Sequence, residues 1–321
     1  MKQLKCSMKM EKDTRFKVLV TGCNGFIGSN LVDRLLAEGK YNVIGIDNLA
    51  YSKKDKISDD ITFHKIDIRD RDIYPLFEGV DYVFHLSAKN CLADCQADPV
   101  ETADINITGS INVFEASRRA KVKKVIYAES SGMYEGLNIF PTPETKVSPQ
   151  SFYSISKACE MHFARAYTEY FGLAFTALRY FNVYGIGQDY RRSNPPMFSA
   201  FIMKLLRGEQ PMIWGDGEKR RDFIFVDDIN DFHLQCMGDS RTDMETFNLG
   251  TGVSYSVNEI YEIIRSLMHV DIKPIYNAAN SWEAQKTLAD ITKATALGWK
   301  PKTSLQEGLR KTIQWYRENR K

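Results

Sequence analysis

A doubly wound α/β fold around a parallel sheet is predicted by three observations. Short β-branched runs alternate with longer helical patterns from residue 16 to residue 182. The first run feeds directly into a glycine-spaced turn and a helix, Thr21-Gly22-Cys23-Asn24-Gly25-Phe26-Ile27-Gly28. The 321 residues suffice for one large sheet domain with a smaller lobe attached.

Residues 17–20 form the first strand pattern, and residues 28–38 a helix with Leu31, Val32, Leu35 and Leu36 on one face and Gly39 as its stop. Strands follow at 41–46, ending at Asp47, then at 61–66 and 82–86. A long helix is expected over 100–120, from the spacing of Ile105, Ile111, Val113 and Phe114. A fifth strand covers 125–128, a second long helix 153–171, and a sixth strand 174–178. Beyond Asn182 the pattern changes, with Gly185, Gly187, Pro195, Pro196, Gly208, Pro211, Gly215 and Gly217 in short order. Shorter helices and longer loops suit a lobe that covers a ligand. Phe247-Asn248-Leu249-Gly250 reads as a strand returning to the main sheet, so the two parts interleave. The expected division is a leader over 1–15, a sheet domain over 16–182 with a returning strand near 246–251, and a substrate lobe over most of 183–321.

Charge excludes some functions. Lys and Arg number 43 against 41 Asp and Glu, which leaves no basic footprint for nucleic acid or an anionic membrane. No apolar run approaches the roughly 20 residues that span a bilayer. Residues 1–15 are Lys-rich without an apolar centre, unlike a secretory signal. Cys6, Cys23, Cys91, Cys95, Cys159 and Cys236 form no CxxC pair and have no His partners at zinc spacing. Cys91 and Cys95, four apart, can share a helix face. The expectation is a cytoplasmic protein with reduced thiols and no metal.

The turn at 22–28 carries the first chemistry. Gly22 permits the tight turn, Gly25 lets backbone approach a pyrophosphate, and Gly28 lets the helix pack close to the sheet. The free N–H groups of the helix start then face the phosphates. This strand–turn–helix arrangement is of Rossmann type. Asp47 ends the second strand 19 residues past Gly28, where a carboxylate accepts hydrogen bonds from the ribose of NAD and repels the 2′-phosphate of NADP. Lys53 and Lys54 nearby act in the opposite sense. NAD is the expected cofactor. Asp67, closing the third strand, has two open readings: a partner for the adenine amino group, or a turn carboxylate.

Tyr153-Ser154-Ile155-Ser156-Lys157 opens the second long helix, and residues four apart share a face. An ammonium beside the phenol favours phenolate, which a free tyrosine with a pKa near ~10 does not form at neutral pH. Tyr153 can then act as general base toward a sugar hydroxyl and as general acid in reverse. The fifth strand ends in Glu129-Ser130-Ser131-Gly132-Met133-Tyr134. Ligands of this fold bind outside the carboxyl ends of the strands, so Ser130 faces the same space and can relay a proton.

These motifs resemble the extended short-chain dehydrogenases/reductases, in their nucleotide-sugar epimerase/dehydratase family. The likeness runs from Phe16 to Trp315 through TGCNGFIGSN, DNL at Asp47, DI at Asp67, HLSA from His85, INITGS from Ile105, YSISK, RYFNVYG from Arg179 and GDGEKRRDFIFVDD from Gly215. It implies tightly bound NAD, a nucleoside-diphosphate sugar substrate, and a homodimer built from two helices per subunit. Gly22, Gly25, Phe26, Ile27, Gly28, Asp47, Asn48, Asp67, Ile68, Leu86, Ser87, Ala88 and Lys89 would line NAD. Phe181 would sit near the nicotinamide, with Tyr153 and Lys157 also touching the cofactor. Ser130, Tyr153 and Lys157 match the catalytic residues, and Asn182 and Arg221 those that hold the sugar nucleotide together with Ser130.

The resemblance also ranks the members. The family's dehydratases place Asp-Glu after the catalytic Thr, and its decarboxylases a Glu two positions on. Here Ser131 and Gly132 stand there and supply no carboxylate. The pattern favours an NAD-dependent epimerase working at C4 through a transient keto sugar. A keto-sugar reductase or a nucleotide-sugar dehydrogenase is the alternative. Glu129 departs from the family's usual small residue and either places a charge near the site or points away. Cys95 replaces a frequent Ser. Asn280 and Trp282 stand where the family carries Arg and Gly, which either leaves the diphosphate to Arg221 and to Arg191, Arg192 or Arg220, or seats the nucleotide differently.

Overall fold

A computed structural model describes residues 14–51, 57–191, 195–278 and 284–319. Residues 1–13, Cys6 among them, and Lys53, Lys54, Arg192, Asn280 and Trp282 lie outside them.

The alternation seen in the sequence becomes six strands: β1 (Phe16–Thr21), β2 (Tyr41–Asp47), β3 (Thr62–Lys65), β4 (Tyr82–His85), β5 (Lys124–Ser130) and β6 (Phe175–Tyr180). The helices between them are α1 (Phe26–Ala37), α2 (Leu92–Ala97), α3 (Pro99–Ala103), α4 (Ser110–Ala120) and α5 (Phe152–Phe171). Further on come β7 (Asn182–Tyr184), α6 (Met197–Leu206), β8 (Met212–Trp214), β9 (Arg220–Phe225), α7 (Val226–Gly238), β10 (Glu245–Leu249), β11 (Ser254–Ser256), α8 (Val257–Met268), β12 (Ile275–Asn277), α9 (Thr292–Ala296) and α10 (Leu305–Asn319).

Seven strands form one parallel sheet in the order β10-β6-β5-β4-β1-β2-β3. The order reverses beside β1, which makes this a doubly wound sheet with its crevice at the carboxyl ends of β1 and β4. Alternate residues of each strand enter opposite layers. Val18, Val20 and Ile126 pack with Leu31 of α1 and Ile229 and Phe232 of α7. Leu19, Val125 and Tyr127 pack with Phe114 of α4 and Ala164 of α5. The chain after Asn182 thus gives the sheet layer more than the returning strand: α7 and Trp299 are part of that core. A separate core of Tyr184, Phe198, Ile202, Phe225, Tyr261 and Ile313 holds the smaller lobe. Asp222, fully buried on β9, joins the two by accepting from the N–H groups of Thr251, Gly252 and Ala289.

The helix expected over 100–120 is present, unbroken from Pro99 to Ala120, and widens once along its length. It runs as α3, a π-helical segment from Asp104 to Gly109, and α4. The cause lies in what the π turn presents. Asn106 turns its amide inward to bind the carbonyl of Lys89 and the Ser156 hydroxyl, at 2.9 and 3.0 Å. Gly109 sits against Ile68, where a Cβ would come within 2.7 Å. Such π turns often mark functional regions. Cys91 and Cys95 do share a helix start: Cys91 is the N-cap of α2 and Cys95 is buried within it. Cys23, Cys91, Cys95, Cys159 and Cys236 are all free thiols.

Candidate active site

The glycine turn is built by close contacts that a side chain would destroy. Gly22 has φ of +69° and packs on the backbone of Leu86 and Ser87. A Cβ on Gly28 would lie 2.0 Å from the Gly22 carbonyl oxygen. A Cβ on Gly25 would meet only that same oxygen, at 3.1 Å, so the turn is open on its outer side. The start of α1 has no side-chain cap, which leaves its first N–H groups free for an anion. Asp47 accepts from the N–H groups of Asn24 (3.0 Å) and Leu49 (2.8 Å). Burial raises its pKa, and those two N–H groups pull it back. An open turn, an uncapped helix start and an acid at the end of β2 fit a dinucleotide. Gly28→Ala is expected to abolish NAD retention. The check is nicotinamide released by acid from the purified protein, and full occupancy would refute this account of the turn.

Asp67 is held firmly within its own turn. The Arg69 guanidinium grips both its oxygens at 2.9 Å, and the Arg69 N–H and the Asn48 amide add one donor to each. The Arg69 fork holds the carboxyl down to about 2. Each oxygen already carries two donors, so Asp67 anchors the turn after β3. Ile68 beside it is buried. Lys89 is buried too, with its ammonium 2.5 Å from Glu101 and its backbone clamped by Asn106.

Helix α5 is held at its start by Ser151, Ser154 and Glu135. Ser151 and Ser154 cap the first turn reciprocally. Glu135 accepts from the Ser151 N–H (2.7 Å) and both hydroxyls (2.9 and 2.7 Å). A carboxylate there also suits the helix dipole. This fixes Tyr153 two residues into the helix. Its phenol lies near Ser130 at the end of β5 and feels the Lys157 charge one turn on. Burial raises the phenol pKa, while Lys157 and Ser130 lower it. Ser130 Oγ accepts the Gly132 N–H at 3.0 Å, which leaves the hydroxyl proton free to move. The structure therefore brings Ser130, Tyr153 and Lys157 together.

Glu129 points away from the open side. It shares the buried face of Val125 and Tyr127, and accepts from the Tyr127 phenol (2.8 Å) and Arg179 Nε (2.5 Å). Arg179, directly across in β6, also binds the Tyr134 phenol and the Glu144 carbonyl, each at 2.9 Å. Glu160 lies close by and binds the Lys157 ammonium at 2.7 Å. The sequence reading did not single out Arg179, Glu160, Asn106 or Glu135 as site residues.

Phe181 is buried against Tyr134 and Ala289 at the end of β6. Asn182 begins β7 and binds the Asp222 carbonyl at 3.0 Å, one residue from Arg221. Arg221 donates to the Arg220 carbonyl at 3.0 Å. Arg220 pairs with Glu259 and Arg191 with Asp189, so both cations already have acidic partners. Among the described residues no cluster of three His, Cys, Asp or Glu is placed for a metal, and no helix is long and apolar enough to cross a membrane.

Known proteins carry the same architecture. Residues 18–250 match the model of the NAD dependent epimerase/dehydratase family. A putative UDP-glucose 4-epimerase of Methanocaldococcus jannaschii is 36% identical over 94% of this chain and 99% of its own. The UDP-glucose 4-epimerase of Thermotoga maritima, solved with UDP-glucose, is 36% identical over 95% of this chain and all of its own, with a TM-score of 0.91. The Thermus thermophilus UDP-glucose 4-epimerase, solved with NAD, is 28% identical over 95% of this chain and all of its own, with a TM-score of 0.87. With this sheet, this glycine turn and this tyrosine–lysine pair, the chain belongs to the NAD dependent epimerase/dehydratase family.

Proposed function

We propose that this protein inverts C4 of a UDP-sugar, with NAD held in the turn between β1 and α1. The observation that carries the reading is Tyr153 beside Ser130 and Lys157, with no carboxylate at the two positions that follow Ser130, namely Ser131 and Gly132. Elimination of water needs a second acid and base at that place. Epimerisation needs only one group that takes and returns a proton.

Tyr153 accepts the proton of the sugar 4-hydroxyl, directly or through Ser130. NAD, held at the turn between β1 and α1, would supply the acceptor for the C4 hydride and its donor on the return to the other face. Between the two transfers the 4-keto sugar turns over, and Tyr153 protonates the new alkoxide. Lys157 favours the phenolate against the burial that raises the phenol pKa. Phe26 and Ile27 offer the helix N–H groups to the pyrophosphate, with Asp47 beside the ribose. Asn182 and Arg221 hold the sugar nucleotide, Arg221 through its fixed charge. Uridine is the base because the named relatives act on UDP-sugars.

The protein works as a cytoplasmic homodimer. Phe152 (50% exposed), Ile155 (43%), Phe163 (41%) and Tyr170 (75%) recur along α5, and an apolar face of that size calls for a partner helix. The reaction is tested by incubating purified protein with a panel of UDP-sugars, without added cofactor, and following C4 epimers by NMR. Turnover of one sugar to equilibrium supports the reading. Inertness toward all of them removes it.

A further inference from the structure

Beneath the tyrosine–lysine pair lies a charge that the proposed mechanism does not use. Glu160 is one turn beyond Lys157 on α5 and is fully buried. One carboxylate oxygen takes the Lys157 ammonium at 2.7 Å. The other has no hydrogen-bond donor and lies 3.5 Å from His85 Nε2.

His85 cannot neutralise it. The Thr21 hydroxyl accepts from the N–H groups of Leu86 and Ser87, so its own proton goes to His85 Nδ1 at 2.8 Å. The Ser110 hydroxyl donates to the Asn106 carbonyl at 2.6 Å, so it accepts from His85 Nε2 at 2.8 Å. Both ring nitrogens are thereby satisfied in the neutral form, and burial pushes the imidazole pKa down to about 3. Burial pushes the Glu160 carboxyl up to about 7, against the pull of the Lys157 ammonium. Of the other groups near it, Glu129 on β5 is held by Arg179 of β6. Tyr153 feels Lys157 and Glu160 on its own helix, Ser130 on β5 and Cys95 on α2; Tyr180 on β6 lies within its reach. Lys157 feels Glu160, Tyr153 and Glu129.

A carboxylate with an unsatisfied oxygen is a costly way to fill space. In so dry a site its charge also reaches further than at a surface. We propose that Glu160 is a positioning residue of the reaction: its carboxylate holds Lys157 as an ammonium and weakens the positive field that Lys157 exerts on the Tyr153 phenol. The pair acts on Tyr153 as a dipole where a lone ammonium would act as a full charge. This inference rests on the assignment of Tyr153 and Lys157 to catalysis.

Removing a negative charge lowers the pKa of every neighbouring acid, cationic or neutral. In Glu160→Gln both limbs of the kcat–pH profile therefore move to lower pH, the acid limb through Tyr153 and the basic limb through Lys157. A shift of about one unit in each is expected. Glu160→Asp keeps the charge and keeps both limbs within about half that shift. A Gln variant that loses rate equally at every pH, with both limbs in place, shows a packing role and overturns the proposal. So does an Asp variant that moves as far as Gln. The wild-type holoenzyme gives an independent reading if no variant folds. Labelled ε-13C-lysine, with Lys157 assigned by its loss in Lys157→Met, must titrate above the ordinary lysine value of about 10.4, and titration below it overturns the proposal. Tyr153→Phe is measured alongside: if that variant keeps its rate, the catalytic assignment fails, whatever Glu160 does.

Discussion

Tyr153→Phe lowers kcat about a thousandfold, within the range of roughly 10²–10⁴ that a positioned acid–base group contributes. The change removes one oxygen and leaves the ring, so KM and bound NAD stay close to wild type. The reason for so large an effect is in the surroundings. Tyr153 lies near Ser130 and feels the Lys157 charge. No carboxylate stands at Ser131 or Gly132 to replace it. Steady-state rates by NMR and acid release of NAD check both parts. A variant that keeps a tenth of its rate would move the proton chemistry elsewhere.

Arg179→Met costs about 3–5 kcal/mol of unfolding free energy, the range for removing one partner of a buried ion pair. Arg179 is almost wholly buried, and its loss strands Glu129 with the Tyr127 phenol alone while the Tyr134 phenol and the Glu144 carbonyl lose a donor. Adding Glu129→Gln removes the stranded charge and restores part of the loss. Urea unfolding of the single and double variants measures both, and their difference gives the coupling. A loss under about 1 kcal/mol from Arg179→Met would show that the pair is not a structural anchor.

What the sequence made legible was what is local along the chain. The glycine turn, Asp47 and the Tyr153–Lys157 spacing each act within one or two elements, and pattern alone places them. Helix α5 was readable because its apolar residues recur over twenty positions and Gly172, with φ of +69°, stops it. The helix expected over 100–120 was readable on the same ground, but the π turn within it was not. Its apolar spacing survives the π turn, while the turn itself exists for contacts of Asn106 with Lys89 and Ser156, 17 and 50 residues away. Asp67 could not be decided on spacing, yet Arg69 two residues on was a signal: a fork within reach of a carboxylate takes it. Glu129 carried a signal as well. It falls in step with Val125 and Tyr127, which puts it on their buried face. Its partner Arg179 lies fifty residues on, and only the register of β5 on β6 brings the two together.

The central claim is that one hydride leaves C4 and returns to the same carbon while Tyr153 moves the proton. The measurement that tests it most directly uses the reactive UDP-sugar with deuterium at C4, purified protein, no added cofactor, and NMR of the product. The account predicts that the C4 epimer forms with deuterium retained at C4, none lost to solvent, and no net consumption of NAD. Deuterium washed out to water would contradict hydride return at C4. A product that forms only in proportion to NAD consumed, or only when NADH or NADPH is supplied, would make the protein a net dehydrogenase or reductase.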